Sequence, residues 1–407
     1  MLQKIALILI PLNVFFDVSL VFFEKGGVVP LIRAGFLLTI LIAVFFKFYS
    51  RSRHYKILLL FTLYVLINVA FSSDVSESFK ISIKILSSML GYIVGFNLIN
   101  TISLIKLLNK SIVVVYVILL LNYIISSLFG LGVSVYTCGD DFLMGDRSDN
   151  WNLFVYPILL APLLIHFYKE NRMKKMQVFI LAFISGVVVL LSLKRIAIMG
   201  LFVGNSINAF FSGRLTRVLK PIILVVLTGI ISFPIYSDLL MKRIDSRSQR
   251  FEKGSLEKEN RYLETFYVWE ETLSFKNIPK SLFGLEGFNS VRNYANGRFG
   301  DRQLHVDYNL IVNTIGLIGL LTYFLIFSEI YRTFIHFYRR VKGFSSELNK
   351  ILKGTFFTLL LTPFLTSFAG QMYAISFRLI IFIYLGSIVG IYFRQYSHES
   401  SDRMLTQ

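Results

Sequence analysis

The sequence predicts an all-α polytopic membrane protein with about twelve transmembrane helices and one large extracytoplasmic loop, 238–305. Three observations carry that prediction. The mean hydropathy is +0.65, 55% of the residues are hydrophobic, and apolar runs recur through nearly all of the 407 residues. Many of these runs approach the roughly 20 residues that a helix needs to cross the hydrocarbon core. The 40 Phe and 21 Tyr suit lipid-facing surfaces and interfacial belts. Prolines inside apolar runs, such as Pro157, Pro162, Pro234 and Pro363, are better tolerated in membrane helices than in soluble ones. The short alternating segments of a β-barrel are absent from the sequence.

In chain order the spans fall at 5–23, 28–46, 57–72, 81–99, 111–129, 151–168, 178–193, 196–211, 221–237, 306–328, 354–370 and 374–393, a single integral domain over 1–407. The first follows Lys4 in a signal-like charge pattern, but no small-residue cleavage site closes it, so it reads as a retained helix. Lys194 and Arg195 leave almost no loop between the seventh and eighth spans. Within 238–305, Asn260 precedes a helical run that places Tyr262, Phe266 and Trp269 on one face. Pro279, Gly284 and Gly287 then mark a turn region. No repeat of 20–50 residues is visible, which disfavours a transporter built from duplicated halves.

The net charge of +18 is explained by orientation, not by nucleic acid. One set of alternate connections collects Lys47, Arg51, Lys106, Lys169, Arg214 and Arg339 among others, whereas the short loops of the other set hold only Lys25, Lys80, Arg147, Lys194 and Arg195. The positive-inside rule therefore expects both termini in the cytoplasm and 238–305 outside. That loop is itself basic, and long loops translocate largely regardless of charge, so its basicity needs another cause. A single cysteine, Cys138, excludes an internal disulfide and a thiolate metal site.

Charges beside hydrocarbon are expensive and point to a partner or a substrate. Arg195 and Lys194 sit at the outer end of two spans with small neighbours, Ser192, Ala197 and Gly200, that permit close helix packing. They are either cations snorkelling to lipid phosphates or ligands of an anion. His305 opens a helix-like run in which Asn309 lies one turn below it and is expected to orient the ring, while Asp307 points away. A neutral imidazole there suits a general base near neutral pH, with an exposed interfacial histidine as the alternative. Arg261 has Glu264 three residues on, an ordinary surface pair. Arg378 stands at the outer start of the last span. Asp17, Arg33 and Lys84 are charges inside spans, open to ion pairing or to substrate contact. The other histidines give no metal-ligand spacing, and no ATP-binding, zinc-protease or dinucleotide fingerprint is present.

These residues resemble the bacterial O-antigen ligase and O-antigen polymerase superfamily, membrane glycosyltransferases that use undecaprenyl-diphosphate-linked glycans. Ser192-Leu193-Lys194-Arg195 is similar to the family's Ser/Thr-x-x-Arg element before a helix. Arg261, Trp269, Pro279, Gly284 and Gly287 follow its loop pattern in order. His305, Gly316 and Gly319 keep the spacing of its histidine motif, with Val306 where the ligases carry a polar residue. The resemblance covers the whole layout, and its specific part lies within about 192–319. It implies a diphosphate held by Arg195 and Arg261, an acceptor hydroxyl activated by His305, and substrate contacts from Lys194, Asn309, Trp269 and Arg378, with no metal and no cofactor. The implied partners are lipid-linked donor and acceptor glycans, membrane lipids and a chain-length regulator protein. Polymerisation of repeat units is favoured, ligation to lipid A core is second, and a flippase is the reading of another class.

Overall fold

In the computed structural model the described residues are 2–19, 28–48, 52–134, 143–145, 172–191, 195–213, 223, 226–227, 229–231, 233–252, 260–370, 372 and 375–405. Almost all are helical. The helices are α1 (Leu2–Ser19), α2 (Val28–Lys47), α3 (Arg53–Ala70), α4 (Val75–Leu98), α5 (Ile102–Phe129), α6 (Arg172–Leu191) and α7 (Arg195–Ser212). They continue as α8 (Phe233–Glu252), α9 (Asn260–Leu273), α10 (Ile278–Phe283), α11 (Asp307–Arg340), α12 (Ser346–Thr366) and α13 (Ile375–Leu405). A two-residue antiparallel ladder, Val133–Ser134 with Met144–Gly145, lies against the end of α5.

Among the described residues five helices are long and apolar enough to cross a membrane: α3, α4, α5, α11 and α13 up to Ser401. Leu2–Phe16, Gly35–Lys47 and Ala197–Ser212 are apolar but shorter. The predicted span 151–168 lies outside the described residues, and 221–237 is described only in part. One helix, α8, crosses the boundary drawn at 237, running from Phe233 through Asp238, Lys242 and Asp245 to Glu252. Hydropathy falls there, but Leu, Met, Lys and Arg are good helix formers, so the helix outlasts its apolar part.

The core of the bundle is the parallel pair α4 and α13. Gly91 and Gly95 on α4 lie against Leu379, Ile383 and Ser387 of α13, and Gly386 and Gly390 on α13 lie against Tyr92 and Phe96 of α4 and Asn100 just after it, each pair spaced by four. A Cβ on Gly95 would lie 1.9 Å from Ile383 O, and one on Gly386 would lie 2.0 Å from Tyr92 O. Close backbone approach of this kind replaces the hydrophobic drive that is missing between helices in lipid. α3 runs antiparallel to α11. Arg53 at its start pairs with Glu329 at 3.3 Å, and Tyr64 further along donates to Ile315 O at 2.6 Å. Ser72 and Ser73 after α3 bond Glu286 of the loop at 2.9 Å. At the opposite end Arg394 bonds Asn100, and Glu399 accepts from the backbone of Lys342 and Gly343. Among the described residues, the connection at 72–73 and the loop at Glu286 thus lie at one end of the bundle, and those at 100 and 342–343 at the other.

Candidate functional site

The site is built where the loop returns to α11. Gly316 interrupts α11 with φ 71° and ψ −176°, a conformation essentially restricted to glycine. Gly284, with φ 76°, lies against the same turn, so that a Cβ there would meet Ile315 N at 2.3 Å. The Glu286 N–H donates to Thr314 O at 2.9 Å, and Leu285 N donates to Asn68 at 2.9 Å. Pro279 is the second residue of α10, where its fixed φ and missing N–H suit a first turn. Gly284 and Gly316 thus lock the loop onto the kink, while Gly287 packs the loop against Val69 of α3.

α9 then lies across the first turns of α11. Glu264, Val268 and Thr272 recur every four residues and are buried, while Tyr262, Phe266 and Leu273 on the other face are exposed. Asn309 clamps the two helices. Its Nδ2 donates to Thr265 Oγ1 at 2.7 Å, and its Oδ1 accepts from Trp269 Nε1 at 3.1 Å. This corrects two expectations. α11 begins at Asp307, so His305 precedes the helix, and Asn309 orients α9 and not the imidazole. Trp269 spends its indole donor on Asn309, which leaves only its ring face, half-buried, for a substrate.

The partners of His305 are different residues. Its Nδ1 accepts from Arg302 Nε at 3.3 Å and lies 4.0 Å from Glu264 Oε2. Arg302 Nε is also 3.0 Å from Glu264 Oε1. Glu264 is fully covered, whereas the Arg302 and His305 side chains are 32% and 39% exposed, so only these two reach an incoming ligand. Burial raises the Glu264 carboxyl above its ordinary pKa; the charge of Arg302, the His305 backbone N–H and then Arg261 oppose that rise. The backbone N–H favours the ionised form without the alignment of a hydrogen bond. Tyr294, pushed up to about 12 chiefly by burial and then by Glu264, closes the site and donates to Arg302 O at 3.3 Å. The turn after α12 presses from above: Gly370, with φ 77°, leaves no room for a Cβ beside His305 O. Glu264, expected as a surface partner of Arg261, is instead buried and meets Arg302, a residue outside the expected site. The i, i+4, i+8 pattern that buries Glu264 was the available signal.

Arg261 is exposed one turn before Glu264 and faces the site by its charge. Lys194 and the Arg195 side chain lie outside the described residues, as do the side chains of Asp17 and Arg33, and Cys138. Lys84 is exposed on α4. Arg378 is corrected: it is 2% exposed, bonded to Tyr323 at 3.0 Å and paired with Asp307 at 3.4 Å, so it holds α13 to α11 and is closed to substrate. Asp307, expected to point away, is buried there and also accepts from Met372 N at 2.8 Å. Among the described residues no group of three His, Cys, Asp or Glu is placed to hold a metal ion. Compared with known proteins, the chain matches no family model and no curated sequence.

Proposed function

We propose that this chain is a membrane glycosyltransferase that joins undecaprenyl-diphosphate-linked repeat units on the outer face of a bacterial cytoplasmic membrane, with both termini inside. The observation that carries the reading is the cluster of Glu264, Arg302 and His305, with Arg261 one turn away, fixed at the start of α11. It combines a titratable base with fixed positive charge at one end of a bundle of apolar helices. Sugar transfer from a lipid diphosphate needs that combination. His305 takes the proton of the acceptor hydroxyl as its oxygen bonds the anomeric carbon, and the bond to the diphosphate breaks with its electron pair on the phosphate oxygen. Arg261, with Arg195, stabilises the charge that develops on the leaving group through planar forked donors. Direct displacement inverts the anomeric centre, and the step as written uses no metal.

Ligation of finished glycan to lipid A core uses the same chemistry, and the resemblance of the 305–319 spacing to the ligase motif favours it as the second reading. A deletion strain separates the two. Surface acceptor carrying single repeat units supports the polymerase. Long glycan retained on the carrier lipid supports the ligase, and unchanged polysaccharide refutes both.

A further inference from the structure

The arrangement around His305 holds one feature that the transfer step does not use. Arg302 has a single Nε–H, placed 3.0 Å from Glu264 Oε1 and 3.3 Å from His305 Nδ1. One hydrogen cannot point at both, and the aligned bond is the one to His305. Neither Glu264 oxygen has an aligned donor among the described residues, although the side chain is wholly buried. A guanidinium donating to Nδ1 leaves the neutral ring with its proton on Nε2. In that tautomer Nε2 cannot accept a proton. The competent tautomer carries its proton on Nδ1, and Glu264 Oε2, 4.0 Å away, is the acceptor placed to hold it. Arg302 thus occupies the position that a base needs cleared. It is also a third exposed and the buried carboxylate is not, so Arg302 is the member able to turn toward a ligand.

We propose that Arg302 is a diphosphate-binding residue that moves from His305 to the donor head group, and that this move gives Glu264 to His305 as its Nδ1–H partner. The inference rests on the transferase reading. Donor binding draws the Arg302 fork onto phosphate oxygens, the geometry for which guanidinium is suited. The ring then exchanges its Nε2 proton for one on Nδ1 through water at its exposed edge. The acceptor hydroxyl passes its proton to Nε2, and Glu264 stabilises the imidazolium that forms, as a buried carboxylate does behind a catalytic histidine. Arg302 touches the donor, and Glu264 is a positioning residue. Among the described residues, the charged or titratable groups around His305 besides these two include Arg261 from α9, Tyr294 from the loop, and Asp307 on α11, already paired with Arg378 of α13. The turn at Gly370 contributes backbone.

The test uses the full chain in nanodiscs, with undecaprenyl diphosphate and inorganic diphosphate as separate binding probes. Arg302→Gln should weaken both by roughly 10-fold to 100-fold, the equivalent of one charge-assisted contact, and Arg302→Lys should recover part of the loss. Glu264→Gln should bind both as wild type does. Its kcat should fall by about 10²-fold or more, the scale of a lost base. The acid limb of kcat against pH should move to lower pH, because the imidazolium has lost its carboxylate. Should Glu264→Gln not fold, Glu264→Asp reports instead, with binding kept, kcat lowered and the acid limb retained. Wild-type binding of inorganic diphosphate by Arg302→Gln overturns the proposal, as does an acid limb unmoved in Glu264→Gln. Normal transfer by His305→Ala is a different failure, because it removes the transferase reading itself.

Discussion

The pair Asp307 and Arg378 gives the clearest energetic prediction. Both side chains are 2% exposed, one on the first turn of α11 and the other on α13. Removing one member of a buried pair strands a charge and costs about 3–5 kcal/mol, whereas replacing both with neutral groups of similar size is close to neutral. Arg378→Met leaves Asp307 with only the Met372 N–H among its bonds described above, and Asp307→Asn leaves Arg378 with Tyr323. With about 2 °C lost per kcal/mol in a chain of this size, each single variant should melt about 6–10 °C lower. The double variant Asp307→Asn with Arg378→Met should recover most of that loss, since the amide oxygen that replaces the carboxylate still accepts from the Met372 N–H. Thermal unfolding in one detergent measures all three. Single variants within about 2 °C of wild type, or a double variant no better than the worse single, would refute the reasoning. A stable Arg378→Met chain that fails to bind undecaprenyl diphosphate would restore Arg378 as a substrate contact.

Three further outcomes follow from the structure. Gly316→Ala should lose about 1–3 kcal/mol from backbone strain alone, with more from the overlap of its Cβ with Leu282 O, and thermal unfolding reads the shift. Because burial raises the Glu264 pKa, its ionisation opposes folding: its favourable contribution is complete below the ordinary value of 4.5 and is lost as pH rises through the folded value. Glu264→Gln should therefore gain stability over wild type at pH 8 and lose that advantage toward pH 4, and an equal difference at both pH values would contradict the burial argument. In the proposed topology, an impermeant maleimide should label Cys138 in intact spheroplasts, and labelling only after permeabilisation would reverse the assigned sides.

Much of this architecture was legible in the sequence because hydropathy and helix period are local signals. The spans drawn at 81–99 and 374–393 correspond to α4 and α13, and the helix expected after Asn260 is α9. The turn glycines were legible for the same reason, since positive φ at Gly284 and Gly287 is a local demand. Pairings across the chain were not. Arg302 and Glu264 are 38 residues apart, and Asp307 and Arg378 are 71 apart, so only the fold decides which cation meets which carboxylate. The misplacement of Asn309 had a sharper cause. Counting helical turns from His305 assumed that the helix began there, and a start at Asp307 frees His305 from that register and lets it turn toward Glu264.

The most direct measurement is glycan transfer by the purified chain from lipid-linked repeat units, with donor binding recorded in parallel. The account predicts that His305→Ala loses about 10²–10⁴-fold in rate while binding the donor as wild type does, and that wild-type transfer proceeds in excess EDTA. Near-normal transfer by His305→Ala would contradict the central claim.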